Sequence, residues 1–138
     1  MGAARKARPA RPDPPVFFSA RIPRRTKEAL ETYAGARKAS TSSVAARLLE
    51  EGLRMERFPG IDFRWAPSGR QACVTGTGLG AWEMHLIWES HGRNIDRVLH
   101  DYPHLKAAQV QVGSAYIEAY PGEKPSAECP PFIQKVRI

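Results

Sequence analysis

Cysteine is scarce in this chain, and the two that it has, Cys73 and Cys129, stand far apart and in no CxxC pattern. That spacing argues against a structural zinc site or a disulfide framework, so inert thiols in a reducing compartment are expected. Long apolar runs are also missing, because none approaches the ~18 residues of a membrane span. No hydrophobic segment follows the basic N-terminus as it would in a signal peptide. We therefore expect a cytoplasmic protein without a membrane partner.

Catalytic signatures are absent as well. No serine, cysteine or lysine stands with a base in a recognisable catalytic pattern, so we predict that the chain is not an enzyme. The glycines of residues 76–80 do not form a dinucleotide fingerprint, because the third glycine comes too early and the βαβ context is missing. His100, Asp101 and His104 are interpreted as solvated or capping groups at a helix end. Neither a metal site nor a cofactor is predicted.

Negative charge is sparse in the first part of the chain. Residues 1–57 carry 13 Lys and Arg against 6 Asp and Glu, a net charge of +7, whereas residues 58–138 carry 8 of each sign. The whole positive excess therefore lies before residue 58, which is the electrostatic pattern expected of a protein that binds a polyanion. Combined with the helical pattern described below, it favours nucleic acid over a charge that serves solubility alone.

The first 15 residues are rich in proline and alanine and carry the basic side chains Arg5, Lys6, Arg8 and Arg11. Such a segment cannot offset the entropy lost on ordering, so we predict a disordered basic arm over residues 1–15. An arm of this kind could lie along phosphates, reach into a minor groove, or act only on solubility.

The hydrophobic pattern changes period at Pro23. Residues 16–22 alternate like a short strand, and two amphipathic helices follow, from about Arg24 to Arg37 and from about Thr41 to Arg54. Pro23 suits the first turn of a helix, and Ser40 or Thr41 suits the N-cap of the second helix. A lone short strand is unstable in water, because half of its backbone hydrogen bonds have no partner. The strand therefore needs a second copy of itself, which predicts an intertwined dimer.

Residues 16–54 resemble the ribbon-helix-helix family of DNA-binding proteins, the MetJ/Arc/CopG type. The resemblance lies in the step Arg21-Ile22-Pro23 and in Ser40-Thr41-Ser42 at the start of the second helix. It implies a dimerisation and DNA-binding domain over residues 16–57, with a two-stranded ribbon that enters the major groove of double-stranded DNA.

The resemblance also implies which side chains meet DNA. Base contacts are expected from Phe17, Ser19 and Arg21, which alternate with the apolar face of Phe18, Ala20 and Ile22. Arg21 suits the O6 and N7 of guanine, Ser19 suits either base type, and Phe17 offers an apolar contact with a thymine methyl group or the arm. At the start of the second helix, free N–H groups, hydroxyls and the helix dipole favour a phosphate over a plain N-cap. The residues expected at phosphates are Arg24, Arg25, Lys27, Lys38, Ser40, Thr41 and Ser42.

Residues 58–120 predict a small second domain. Ile61–Trp65 and Gln71–Val74 alternate around the turn residues 66–69, and three helices follow, about 81–90, a short one capped by Asn94, and about 106–119. The segments Thr77–Glu83 and Asp101–Leu105 are similar to a helix-turn-helix-like domain found in VapB-type antitoxins and related bacterial proteins. Because this half carries no net charge, we expect it to serve contacts between dimers or with a partner. The fold class expected for the whole chain is mainly α with short β.

Residues 121–138 predict a proline-rich tether and a strand-like tail, Phe132–Ile138. The tail could complete the protein's own sheet beside Phe63 or Val74, or add to the sheet edge of a partner. The function expected is that of a dimeric regulator, most simply a repressor in the nucleoid, with pairs of dimers on DNA. Two alternatives remain open. One is an antitoxin that binds a toxin and represses its own operon, and the other is a nucleoid-associated protein with little sequence preference.

Overall fold

The computed structural model describes residues 13–123. The four basic residues of the predicted arm, the strand-like tail and Cys129 therefore lie outside the described residues. The chain divides into two units between Thr41 and Ser42. Within residues 13–123, the regular structure consists of five α-helices, a short 3₁₀ helix and one three-stranded antiparallel sheet. The predicted fold class is confirmed at the level of a mainly helical protein with short strands.

Helix α1, Arg24–Ala36, belongs to the first unit. The carbonyl of Pro23 accepts hydrogen bonds from the N–H groups of Thr26 (3.0 Å) and Lys27 (3.2 Å), so the proline closes the first turn. The predicted helix over 24–37 is confirmed to within one residue. Residues 13–23 have no regular secondary structure in the single chain. A strand over 16–22 would need a second chain, and it stays a prediction.

The turn after α1 is a Schellman motif. The N–H of Ala39 bonds to the carbonyl of Ala34 (3.0 Å), and the N–H of Lys38 bonds to the carbonyl of Gly35 (3.2 Å). Lys38 occupies the position that usually holds glycine, with a φ of 53° in the left-handed region. The chain thus accepts a strained lysine in this turn, at a cost of about 1 kcal/mol.

Helix α2 runs over Thr41–Arg57, three residues further than its apolar stripe predicts. Arg54 and Arg57 lie in its last turn, where positive charge complements the carbonyl end of the helix dipole. Pro59 and Gly60 follow, and Gly60 has a φ of 103° that favours glycine, so the chain leaves the helix there.

The sheet contains the predicted hairpin and one strand that sequence analysis does not predict. Strand β1, Ile61–Ala66, pairs antiparallel with β2, Gly69–Val74, in a register that places Ile61 opposite Val74 and Phe63 opposite Ala72. Gly69, with a φ of 121°, makes the tight turn between them. Strand β3 is only Leu79–Gly80, and it pairs with the end of β2. Two residues are too few to show an alternating pattern, which is why the sequence does not predict β3.

Three helices complete the second unit at the predicted places. They are α3, Ala81–Ser90, α4, Ile95–Asp101, and α5, Ala107–Ala119. Asn94 caps α4 as expected, since its side-chain oxygen accepts the N–H of Arg97 (3.2 Å). Pro121–Glu123 forms a short 3₁₀ helix after α5.

The core of the second unit lies between the sheet and helices α3–α5. Its buried apolar side chains include those of Ile61, Val74, Leu79, Met84, Val98, Val110, Tyr116 and Ile117. Helices α3 and α5 approach closely at Gly113, where a Cβ atom would lie 2.8 Å from Cγ of Met84 and 3.0 Å from Cγ2 of Val74. Glycine is therefore required at the crossing point of these helices.

The division of the single chain differs from the boundary expected at residue 58. Most of α2 groups with the second unit, and its charged side chains contact Arg70, Tyr116 and Glu123 there. The predicted domain over 16–57 describes two intertwined chains, so it stays a prediction.

Candidate nucleic-acid interface

The segment before α1 exposes the three side chains predicted to contact bases. Phe17 has 94% of its surface exposed, and Ser19 and Arg21 are exposed as well. On the alternate face, Val16 is 86%, Phe18 71% and Ile22 49% exposed. Every residue of this segment is exposed in the single chain, so the two faces expected from a period of two stay a prediction.

The start of α1 concentrates positive charge where a helix disfavours it. Arg24, Arg25 and Lys27 lie in the first turn, all exposed, and no acidic residue accompanies them there. Cations near a helix N-terminus oppose the macrodipole by about 0.3–1 kcal/mol each. Lys27 lies 3.8 Å from Glu31, but both side chains are well exposed, so this pair contributes little. An anion bound at this end would satisfy both the free N–H groups and the side chains.

The start of α2 has the residue types that favour an anion. Thr41 and Ser42 are exposed hydroxyl residues, and the first turn contains no acidic side chain. Helices α3 and α4, in contrast, carry Glu83 and Asp96 in their first turns. Lys38 and Ser40 stand just before α2 and are also exposed. The predicted phosphate-contact residues are therefore accessible along this stretch of chain.

The three sets of predicted DNA-contact residues lie in three successive segments of the chain. Residues 17–21 precede α1, residues 24–27 form its first turn, and residues 38–42 join the two helices. The arrangement that would bring them onto one DNA duplex involves two chains, and it belongs to the proposal below.

Sequence analysis missed a network of ion pairs that ties α2 to the rest of the second unit. Glu51 is buried, and both of its carboxylate oxygens accept from Arg70 on β2, at 3.0 Å from Nε and 2.7 Å from Nη2. Arg47 adds a third contact, with its Nε 3.6 Å from Glu51. The guanidinium groups of Arg47 and Arg70 lie 5.3 and 5.5 Å from the ring centre of Trp65.

Arg54 is the second anchor of α2. It donates to the hydroxyl of Tyr116 (2.9 Å), to Glu50 (2.6 Å) and to Glu123, and its guanidinium lies 3.9 Å from the ring centre of Tyr120. Burial opposes the charge of Arg54, but the Tyr116 hydroxyl and the two carboxylates outweigh that effect and raise its pKa. Burial and the hydrogen bond with Glu123 likewise raise the pKa of Tyr116. The spacing of Arg47, Glu51 and Arg54 on one helical face is the only signal in the sequence for this network.

His91, at the end of α3, forms a cluster with His100 and Asp101, at the end of α4. Asp101 lies 2.8 Å from Nε2 of His91 and 3.2 Å from Nδ1 of His100, and these two hydrogen bonds lower its pKa. Nδ1 of His91 also contacts the carbonyl of Ile87 at 2.7 Å, so the cluster links the end of α3 to the end of α4. Among residues 13–123, no group of three or more His, Cys, Asp and Glu side chains could hold a metal ion.

Cys73 and Thr77 have local structural roles. The thiol of Cys73 is buried, and burial together with Asp62 raises its pKa, which disfavours the reactive thiolate. The hydroxyl of Thr77 donates to the carbonyl of Val74 (2.7 Å) and accepts from the N–H of Leu79 (3.0 Å). It therefore holds the turn between β2 and β3.

Comparison with protein families, with curated proteins and with solved structures gives no match for this chain. Within the described range, none of the helices is both long enough and apolar enough to cross a bilayer.

Proposed function

We propose that this chain is a dimeric, sequence-specific DNA-binding transcriptional regulator, acting as a repressor, whose two copies pair residues 16–22 into a ribbon for the major groove. The observation that carries this proposal is the exposure of apolar side chains on two elements that a ribbon-helix-helix dimer would cover. Phe18 and Ile22 are exposed before α1, and Leu48, Leu49 and Leu53 are exposed along α2.

The exposed apolar surface is large enough to support association. Full burial of a leucine or phenylalanine contributes about 1.5–3 kcal/mol, so completing the burial of these partly exposed side chains contributes about 1 kcal/mol each. Ten such side chains in a symmetric dimer contribute about 10 kcal/mol, within the range of about 4–15 kcal/mol that association costs in lost freedom. Backbone hydrogen bonds between the paired segments would then favour the dimer.

Charge supports DNA as the ligand of that dimer. The net charge of +7 on residues 1–57 doubles when two chains associate, and residues 58–138 add none. Arg24, Arg25 and Lys27 stand at a helix N-terminus, where a phosphate would remove the unfavourable interaction with the dipole. These contacts would fix the register of the dimer on the duplex while the ribbon reads the bases.

Helix α5 of the second unit offers little for a groove. Helix α5 points Ala107, Ala108, Gln111, Ala115 and Glu118 outward, and none of these is basic. Its opposite face is buried in the core. We assign residues 58–120 to contacts between dimers rather than to the DNA backbone.

A gel-shift experiment tests the proposal. The purified chain is titrated onto DNA from upstream of its own coding sequence, with random DNA as competitor at physiological salt. A complex that survives excess competitor, with a footprint in half-sites, is expected. Binding that the competitor abolishes would identify a protein with little sequence preference, and no binding would reject DNA as the ligand.

Arg21→Ala and Lys27→Ala separate base reading from phosphate contact. Arg21→Ala should cost about 1–3 kcal/mol at one base position and relax the preference there. Lys27→Ala should weaken binding to all sequences alike and reduce the slope of log K against log salt by about 1. Affinity for a panel of single-base variants at several salt concentrations distinguishes the two, and an unchanged base preference in Arg21→Ala would refute the ribbon.

A further inference from the structure

A cavity of about 340 Å³ lies beside helix α2 within the second unit. Its walls come from α2, the β1–β2 hairpin, the start of α3 and helix α5. The volume falls in the range of about 300–1,000 Å³ that is typical of small-molecule sites. None of the residues proposed for DNA contact lines it, so the proposed function does not account for it.

The deep part of the cavity is apolar. Ala72, Ala81 and Ile117 line it, and all three belong to the buried core. Phe63 and Trp82 add aromatic surface, and the indole N–H of Trp82 is oriented by a hydrogen bond to Oε1 of Gln71 (3.3 Å). A ligand that enters this part must bring an apolar group.

The outer part of the cavity is charged but balanced. Its charged side chains are Arg47, Arg54, Arg70, Glu50, Glu51 and Glu123. Arg47 and Arg70 pair with Glu51, and Arg54 pairs with Glu50 and Glu123. Three arginines and three glutamates give the wall no net formal charge. A ligand with a single charge would be repelled by the wall side chains of the same sign. A ligand with both a carboxylate and an ammonium can place each group beside side chains of the opposite sign.

We propose that this cavity binds a small zwitterion with an apolar side chain, namely a free apolar amino acid. Its side chain occupies the region beside Phe63 and Ile117, its carboxylate faces the arginines, and its ammonium faces the glutamates. Four of the six charged wall residues lie on α2, so the bound molecule adds contacts between α2 and the hairpin. Binding therefore raises the thermal stability of the chain, because the ligand binds the folded state alone.

Leucine and its single-charge analogues test the proposal on the full chain without DNA. Thermal unfolding and calorimetric titration are measured with leucine, with 4-methylpentanoate, which lacks the amine, with 3-methylbutylamine, which lacks the carboxylate, and with glycine. Leucine should bind with one molecule per chain and raise the midpoint of unfolding, and each analogue should bind at least about tenfold more weakly. Equal binding of either single-charge analogue would overturn the zwitterion. No binding of leucine, isoleucine, valine or phenylalanine would overturn the site.

Two variants locate the binding site. Arg47→Met removes one wall charge from a partly exposed side chain, so it should weaken leucine binding at least about tenfold while the unliganded chain stays folded. Arg64→Met, on strand β1 but outside the cavity, removes an arginine charge in the same way and is the control that should bind leucine like the wild type. Ala72→Leu fills the cavity and should abolish binding, and Arg47→Met decides the question if that variant does not fold. Equal leucine affinity in Arg47→Met and the wild type would place the ligand elsewhere. Because none of these measurements uses DNA, their failure is distinct from failure of the proposed regulator.

Discussion

The substitution Leu53→Gln is the most direct test of the proposed dimer. Leu53 lies on α2 with 70% of its surface exposed in the single chain, and glutamine is a comparably good helix former. The exchange should therefore change the free energy of unfolding of the monomer by less than about 0.5 kcal/mol. In the proposed dimer the same side chain is buried in both copies, and each exchange should cost about 2 kcal/mol in lost apolar burial and a desolvated amide. Two copies cost about 4 kcal/mol, which raises the dimer dissociation constant about a thousandfold.

Sedimentation equilibrium over a range of concentrations measures that constant, and circular dichroism measures the stability of the chain. Leu86→Gln is the matched control, because Leu86 is a leucine on the surface of α3 with 36% exposed and has no place in the ribbon-helix-helix interface. It should leave dimerisation unchanged. A wild-type chain that stays monomeric at every concentration, or a Leu53→Gln chain that dimerises like the wild type, would refute the reasoning.

Three further predictions concern single residues. Lys38→Gly should raise the free energy of unfolding by about 0.5–1 kcal/mol, because glycine adopts the left-handed conformation without strain. The same change should weaken DNA binding, because it removes a positive charge proposed to contact phosphate. Chemical denaturation and gel-shift titration measure the two effects, and tighter DNA binding would contradict the phosphate role. Gly113→Ala should lower the free energy of unfolding by about 1–3 kcal/mol despite the better helix propensity of alanine, because its Cβ would overlap Met84. Ala115→Gly, on the exposed face of the same helix, should cost about 1 kcal/mol from propensity alone. A Gly113→Ala chain that is more stable than the wild type would contradict the close helix crossing. The pKa of Asp101 is lowered in the folded chain, so its contribution to stability is present above the ordinary carboxyl pKa and is lost as pH falls through the lowered value. Asp101→Asn should therefore reduce the loss of unfolding free energy at acid pH, measured by denaturation at a series of pH values. An unchanged pH dependence would contradict the role of the histidine contacts.

Local signals in the sequence predict most of the secondary structure. Pro23 marks the start of α1, Asn94 caps α4, and the turn residues between β1 and β2 set the hairpin. Each of these signals acts over a few residues, because the backbone group that it satisfies or the dihedral angle that it supplies is close in sequence. The boundaries of the five described helices and of the β1–β2 hairpin therefore agree with prediction to within three residues, whereas the two-residue β3 and the 3₁₀ helix Pro121–Glu123 are too short to show a pattern.

Tertiary pairing is less accessible to such signals. The side chain of Arg54 reaches Tyr116 and Glu123, more than sixty residues away, and Glu51 reaches Arg70 across the β1 strand. Periodicity identifies a charged face on α2 but does not say which partner that face meets. The candidate DNA-contact residues pose a similar problem, because the common geometry proposed for them depends on a second chain.

Helix α2 has two faces with different chemistry, and this separates its partners. Leu48, Leu49 and Leu53 are apolar and exposed, and they gain stability only when another surface covers them. Arg47 and Arg54 lie on the other face and are held by carboxylates and aromatic rings of the second unit. Breaking a buried ion pair without replacing it is costly, so the contacts of α2 with the rest of the second unit should persist in the proposed dimer, where a second chain covers the apolar face. The proposed dimerisation and the internal ion pairs therefore use different side chains of one helix and need not compete.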